Sequence, residues 1–279
     1  MLQTQGKVII AGAGPGDPEL LTIKAVRWLQ RADVVLTDRL VSPDILTSFV
    51  RPSAEIIFVG KQSRKGASTP QQEINELLVF HAAQGKLVVR LKGGDVSIFS
   101  NVLDELETLV AHGIPYEIVP GITAALGAAA CSGIPLTARG HATAVRLLTC
   151  YQPQLLADNQ WKELAKTDDT LVFYMSGDAL PFIAARLREN GIAAGKLLAL
   201  VEQATTPQQR VSLFDLQNDA ALQAHQPASP SLLIVGKVVA LHRQFAWVME
   251  GRSTEDYFLP VAARLLAWEE EQDKQLQTA

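Results

Sequence analysis

The sequence has few of the features that define disulfide-rich, membrane or nucleic-acid-binding proteins. Its two cysteines, Cys131 and Cys150, cannot form a disulfide framework. A net charge of −4 argues against a nucleic-acid binder, which normally presents a basic face. No apolar run is long enough to span a bilayer, and the first residues lack the charged start and apolar core of a signal peptide. We therefore expect a cytoplasmic protein with no metal, membrane or nucleic-acid partner.

The composition and the apolar patterning are typical of an α/β protein. Hydrophobic residues make up 48% of the 279 residues and charged residues only 19%, which implies substantial buried cores. In the first half, short apolar strands alternate with helical stretches at residues 20–30, 71–84 and 102–112. This alternation predicts βαβ units and a mainly parallel sheet. The second half is again α/β, and Pro-rich segments interrupt it.

A turn-rich segment at residues 133–142 divides the two halves. We therefore predict an N-terminal α/β domain at residues 1–136, which contains the Gly-rich loops, and a C-terminal α/β domain at residues 137–245. After residue 245 the pattern breaks, so residues 246–279 are interpreted as a helical or disordered tail.

The first strand leads into a glycine loop, "VIIAGAGPGDPELLT", that differs from a dinucleotide fingerprint. The fingerprint G-x-G-x-x-G places its third glycine one residue later than Gly16, and here Pro15 lies between the last two glycines. Asp17 suits a helix N-terminus but would repel a pyrophosphate bound to the same amides. The loop therefore indicates a nucleoside ligand without phosphate, although Asp38, about 20 residues on, keeps a dinucleotide enzyme possible.

Two more strand exits carry residues that suit ligand binding. In "RLKGGDVSIF", Gly93 and Gly94 allow close approach of a ligand to the backbone, and Asp95 can accept hydrogen bonds from a ribose diol. An ordinary turn with a capping Asp is the alternative. In "VPGITAA", Thr123 can cap a helix of small residues, and that alone explains the stretch.

Taken in order, these stretches resemble one family, the tetrapyrrole methylases. The matching pieces are "GAGPGDPELLTIKA", "ADVVLTDRLV", "VGK", "QQEIN", "VVRLKGGD", "VPGITAA", "GIPLTAR", "TLVFYM" and "VGKVV". They extend over roughly residues 6–242, and the ordered set is far more specific than any single piece.

The resemblance implies two α/β domains, with a mainly parallel sheet in the first and a mixed sheet in the second. It also implies S-adenosylmethionine bound in the cleft between them, S-adenosylhomocysteine as its product, a small tetrapyrrole substrate and a homodimer. It also implies which residues contact the methyl donor. The family has a glycine at the position of Ala204, so the implied backbone contact with the donor here lies beside an added methyl group. The implied donor-binding residues are Pro15, Gly93, Gly94, Asp95, Ile98, Thr123, Ala124, Met175 and Ala204.

The resemblance further implies Asp38 as catalytic base, Lys61 as catalytic acid, and Arg139 and Asp104 as substrate-binding residues. The substrate side departs from the family pattern. After "GGD" the family has "PFIFGRGGEE", whereas this chain has "VSIFSNVLDE", with Asn101 in place of an arginine and Asp104 in place of the first acid. Three alternatives stay open: a methylase of a later corrin precursor, a nicotinamide oxidoreductase using Gly12 to Asp38, and a donor-binding regulator without turnover.

Overall fold

A computed structural model of the protein describes residues 6–60, 69–150, 152, 154, 156–248, 257, 258 and 263. Contacts within the chain divide it into two compact units. The first unit contains the described residues up to Thr123, with Phe258 and Ala263, and the second runs from Ala124 to Tyr257. In the described ranges no helix has the length and apolar character needed to cross a membrane.

The first unit is built on a five-stranded sheet in which every strand pair is parallel, as the sequence predicts. The strand order is β3-β2-β4-β1-β5, so β4 and β1 occupy the centre. Because all strands point the same way, all of their carboxyl ends lie along one edge of the sheet. The strands are β1 (Lys7–Gly12), β2 (Val34–Thr37), β3 (Glu55–Phe58), β4 (Leu87–Lys92) and β5 (Tyr116–Val119).

Helices cover both faces of this sheet, and alternate strand residues enter the two cores. Ile9 and Val89 face the core formed with α1 (Ile23–Leu29) and α2 (Pro43–Phe49). The neighbouring residues Val8 and Val88 face the core formed with α3 (Gln71–Ala83) and α4 (Val102–Ala111).

The second unit has a mixed five-stranded sheet in the order β6-β7-β10-β8-β9, which confirms the mixed sheet expected there. Only β6 and β7 pair in parallel, and β10 runs antiparallel to both β7 and β8. Trp161 and Phe173 are the largest fully buried side chains of its core. The strands are β6 (Val145–Thr149), β7 (Thr170–Tyr174), β8 (Leu197–Glu202), β9 (Arg210–Asp215) and β10 (Ser231–Gly236). The helices are α5 (Ala124–Ser132), α6 (Asp158–Lys166), α7 (Leu180–Glu189), α8 (Asp219–Ala224) and α9 (His242–Phe245).

Contacts place the change of unit between Thr123 and Ala124, earlier than the predicted boundary at residues 136 and 137. Helix α5 belongs to the second unit because hydrogen bonds tie it there. The Ala125 amide donates to the Tyr174 hydroxyl over 3.1 Å, and Gln209 Nε2 donates to the Cys131 carbonyl over 3.3 Å. In the predicted tail, Trp247 Nε1 donates to the Ala130 carbonyl over 2.8 Å, also within this unit.

Some local predictions differ from the structure for identifiable reasons. The helix predicted from residue 20 is two pieces, a 3-10 turn at Pro18–Leu20 and α1, because Thr22 caps α1 by accepting the Ala25 amide. Helix α2 lies outside the predicted helical stretches, although Ser42 caps it and Pro43 is its first residue. In the second unit, a 3-10 helix at Lys237–Leu241 follows β10 directly.

Candidate active site

Three glycine-containing loops interlock at the carboxyl edge of the first sheet. They follow β1, β4 and β5, at residues 13–17, 93–98 and 120–123. The first two join as a short antiparallel bridge, in which Gly14 N donates to Gly94 O over 3.1 Å and Gly94 N donates to Gly14 O over 2.8 Å. This is the edge at which ligands bind in open α/β sheets.

The glycines are needed because the loops pack backbone against backbone. A Cβ on Gly121 would overlap the carbonyl oxygen of Gly94 and lie 2.8 Å from Gly12 Cα. A Cβ on Gly12 would lie 2.6 Å from the Gly94 oxygen, and one on Gly93 would lie 2.9 Å from the Cβ of Leu40. The glycines thus allow one protein segment to approach another closely. Their contact with a methyl donor stays a prediction.

Asp95 holds two of these loops together through hydrogen bonds. Its Oδ1 accepts from the Ser97 amide over 2.8 Å and from the Ser97 hydroxyl over 2.5 Å, and its Oδ2 accepts from the Gly121 amide over 2.9 Å. Burial alone would raise the pKa of Asp95, but the bonds from Ser97 and Gly121 lower it below its ordinary value. Asp95 is therefore an ionised brace of the loops, and hydrogen bonding to a ribose stays a prediction.

The interlocked loops suit a ligand that carries no phosphate. Residues 13–17, 93–98 and 120–123 include no lysine, arginine or histidine, and they include two carboxylates, Asp17 and Asp95. Asp17 Oδ1 accepts the Glu19 amide over 2.9 Å and so caps the turn that follows. An anionic ligand would meet these carboxylates without a side-chain cation in the loops, whereas a cationic sulfonium would be favoured.

The other predicted donor-binding residues of the first unit lie on the same loops. Pro15 and Thr123 are buried and Ile98 is half-buried. Phe99 and Asn101 follow in left-handed conformations, with φ of 51° and 52°. Two such residues in a short segment place strain beside the loops, as is common at binding sites.

Asp38, the predicted base, lies directly after β2 and joins a buried network of four charged side chains. Its Oδ1 accepts from Nη2 of Arg90 over 2.5 Å. Nε of Arg90 donates to Glu105 Oε1 over 2.8 Å, and Lys92 Nζ donates to both Glu105 oxygens over 2.9 and 3.0 Å. The network has two positive and two negative groups, so it is neutral overall.

Burial shapes the protonation of the two cations in this network. Burial alone would lower the pKa of Arg90, but the carboxylates of Asp38 and Glu105 raise it above its ordinary value. Burial and the positive charge of Arg90 lower the pKa of Lys92. The sequence analysis above assigns no role in the site to Arg90, Lys92 or Glu105. One available signal was the pair of cations two residues apart in the apolar strand "VVRLKGG", which places both on one face of the sheet.

Lys61 and Asp104 are the two remaining predicted site residues of the first unit. Lys61, the predicted acid, lies outside the described residues. Asp104 is exposed in the first turn of α4, where its Oδ2 accepts from Nδ2 of Asn101 over 2.7 Å. The two residues that depart from the family pattern therefore contact each other.

In the second unit, two predicted donor-binding residues lie at one edge of the sheet. β7 and β8 are both antiparallel to β10, so their carboxyl ends share an edge. Met175 follows β7 with φ of 53° and is half exposed. Ala204 follows β8 between Gln203 and Thr205, whose φ values of 46° and 66° are also left-handed.

Ala124 and Arg139 complete the predicted residues of the second unit. Ala124 begins α5, next to the Ala125 amide that bonds to Tyr174 at the end of β7. Arg139 is exposed on the turn closed by the bridge between Ala138 and Ala142, and its guanidinium makes no hydrogen bond to any described residue. Across the described part of the chain, no group of histidine, cysteine or acidic residues could hold a metal ion.

Sequence comparison gives one family match and many relatives. The family described as Tetrapyrrole (Corrin/Porphyrin) Methylases matches residues 7–218. A siroheme synthase of Azotobacter vinelandii is 50% identical over 252 residues, which is 90% of this chain and 54% of that protein. The chain thus spans about half the length of the curated relatives it matches.

Solved structures of methyltransferases resemble this chain closely. The uroporphyrin-III C-methyltransferase of Thermus thermophilus complexed with S-adenosylhomocysteine is 37% identical with a TM-score of 0.70, over 84% of this chain and 99% of that one. A cobalt precorrin-4 methyltransferase of cobalamin biosynthesis is 27% identical with a TM-score of 0.74, over 84% and 95% of the two chains.

Proposed function

Because the chain belongs to the tetrapyrrole (corrin/porphyrin) methylases, we propose that it is an S-adenosylmethionine-dependent C-methyltransferase that converts uroporphyrinogen III to precorrin-2. The reaction would comprise two successive methyl transfers to carbon. The observation that carries the proposal is the set of interlocked loops after β1, β4 and β5, which lack basic side chains and present the carboxylates of Asp17 and Asp95.

The residues present fit this methyl donor. S-adenosylmethionine supplies a methyl group activated by a positively charged sulfur and carries no phosphate, in agreement with loops that lack a cation. Pro15, Gly93, Gly94, Ile98 and Thr123 would contact it in the first unit, with Asp95 fixing the loop backbone. Ala124, Met175 and Ala204 are the corresponding proposals in the second unit. Alignment of reactants in a water-excluding site is worth about 7–11 kcal/mol in favourable cases.

The side chains supply the proton transfers and the contacts with the acceptor. Asp38, one quarter exposed and oriented by Arg90, would accept the proton released by the methylated macrocycle. Lys61 would be the acid. Arg139 is exposed, and its planar guanidinium suits the carboxylate side chains of a tetrapyrrole. Asp104 would contact the same substrate.

The biological setting is part of the proposal. The siroheme synthase relatives support a place in sirohaem biosynthesis, and precorrin-2 would also serve cobalamin biosynthesis. We propose that the protein acts in the cytoplasm as a homodimer.

A methylase of a later corrin precursor is the second candidate. Two observations favour it: the likeness to cobalt precorrin-4 methyltransferase, and the altered segment in which Asn101 and Asp104 bond to each other. In that case the donor loops would serve the same donor and only the acceptor would differ.

The test is anaerobic incubation of the protein with S-adenosylmethionine and either uroporphyrinogen III or precorrin-2, followed by product masses over time. We expect two methyl groups added to uroporphyrinogen III and none to precorrin-2. Methylation of precorrin-2 alone would favour the second candidate. Calorimetry with S-adenosylhomocysteine and NAD in parallel should show binding of the former only, and tight NAD binding would contradict both methylase assignments.

A further inference from the structure

Strand β2 has an aspartate–arginine pair at each end, and the two pairs differ in burial. At its amino end Asp33 pairs with Arg51, and both side chains are more than one third exposed. At its carboxyl end Asp38 pairs with Arg90, whose side chain is only 3% exposed. A surface pair of the first kind contributes little to stability. The second pair needs another explanation, because burying charge is costly.

Three hydrogen bonds besides the one to Asp38 hold the Arg90 guanidinium in place. Its Nε donates to Glu105, whose side chain is fully buried, and its Nη1 donates to the carbonyls of Leu36 and Leu91 over 3.4 and 3.3 Å. A guanidinium donates in one plane and at fixed angles. With three acceptors fixing that plane, Nη2 points in one direction, and Asp38 lies there.

Asp38 is also the exposed end of an otherwise buried network. Its side chain is 26% exposed, against 5% or less for Arg90, Glu105 and Lys92. Lys92 directly precedes Gly93, so the network joins the end of β2 to the loop after β4. Buried ion pairs are often no more stable than apolar residues of similar volume, so stability alone does not explain this arrangement.

We propose that Arg90 is a positioning residue that, with Glu105 behind it, holds the Asp38 carboxylate in one orientation for the methyl-transfer reaction. The inference rests on the proposed function, because it takes Asp38 as the base of that reaction. Arg90 acts through Asp38 and contacts neither donor nor acceptor.

The test is a double-mutant cycle with the full chain. The variants are Arg90→Gln, Asp38→Asn, the double variant and, as matched control, Arg51→Gln at the other end of β2. We expect Arg90→Gln to lower kcat about 100-fold, the effect of a small misplacement of a reacting group, with KM for the tetrapyrrole within threefold of wild type. The double variant should be no slower than Asp38→Asn, and Arg51→Gln should match wild type.

Two outcomes would overturn the proposal. One is additive losses in the double variant, which would show that Arg90 acts independently of Asp38. The other is a kcat for Arg90→Gln within threefold of wild type. If Arg90→Gln does not fold, Arg90→Lys replaces it, since an ammonium keeps the charge without the planar donors. The cycle with Arg90→Lys should show the same non-additivity with a smaller loss of kcat.

A readout without turnover separates this proposal from the proposed function. If wild type binds S-adenosylhomocysteine but methylates no acceptor, the proposed function fails and kinetics cannot address Arg90. Crystal structures of wild type and of the Arg90 variant then decide. We expect the Asp38 carboxylate to be ordered in wild type and displaced in the variant, with the affinity for S-adenosylhomocysteine within threefold of wild type. An unmoved Asp38 in the variant would refute the positioning role.

Discussion

Substitution of Gly121 by alanine tests whether the interlocked loops set both stability and donor binding. The added Cβ would meet three backbone groups, the carbonyl of Gly94 and the Cα and carbonyl carbon of Gly12, none of which can rotate away. Overpacking of this kind costs about 1–3 kcal/mol. Reduced entropy of the unfolded chain returns about 0.4–1 kcal/mol, because Gly121 does not require a positive φ. We expect a net loss of about 1–2 kcal/mol.

The assay is thermal unfolding with calorimetric titration of S-adenosylhomocysteine. At about 2–4 °C per kcal/mol, the Tm should fall by roughly 2–8 °C. The affinity should weaken about tenfold or more, because the shift displaces the Gly94 and Asp95 loop and so costs on the order of 1.4 kcal/mol of binding energy. Gly195→Ala is the matched control, since a Cβ there meets nothing within 4 Å. Equal Tm and affinity in the two variants would refute the reasoning about loop packing.

Two further predictions concern charge. Glu105→Gln leaves two buried cations with one carboxylate and should lower the free energy of unfolding in urea by about 3–5 kcal/mol. The control Glu107→Gln, at an exposed position, should change that free energy little. Equal effects of the two substitutions would contradict the buried network. Hydrogen bonds from Lys24 and Lys7 lower the pKa of Glu117 from 4.5 to about 2. The contribution of Glu117 to stability is therefore present above pH 4.5 and lost as pH falls towards 2. Glu117→Gln should make the free energy of unfolding fall less steeply between these pH values. An unchanged pH dependence of stability in the variant would contradict this.

Much of the fold could be predicted because its signals are local. Apolar runs such as "KVIIAG" and "KLVVRLKG" are buried strands, and their alternation with helices predicted the parallel sheet. Helix α2 was missed because its two buried residues, Ile45 and Leu46, are adjacent and show no helical spacing, although Ser42 and Pro43 carry a start signal. The grouping of α5 with the second unit could not be predicted, because its partners, Tyr174 and Gln209, are distant in sequence.

The candidate site could be predicted only in part, for the same reason. The loops after β1, β4 and β5 were identified because strand exits in a parallel sheet share an edge. That Gly12, Gly94 and Gly121 pack on one another depends on contacts between loops, which spacing along the chain does not show. The Arg90 and Glu105 pair joins a strand to the next helix, and each alone is an ordinary charged residue.

The central claim is that these loops serve methyl transfer from S-adenosylmethionine to a tetrapyrrole carbon. The most direct measurement is anaerobic reaction of the protein with uroporphyrinogen III and S-adenosylmethionine labelled with ¹³C in its methyl group, followed by ¹³C NMR of the product. The account predicts two labelled methyl groups, each bonded to a ring carbon of the macrocycle. Label that stays on the donor, or appears on oxygen or nitrogen, would contradict it.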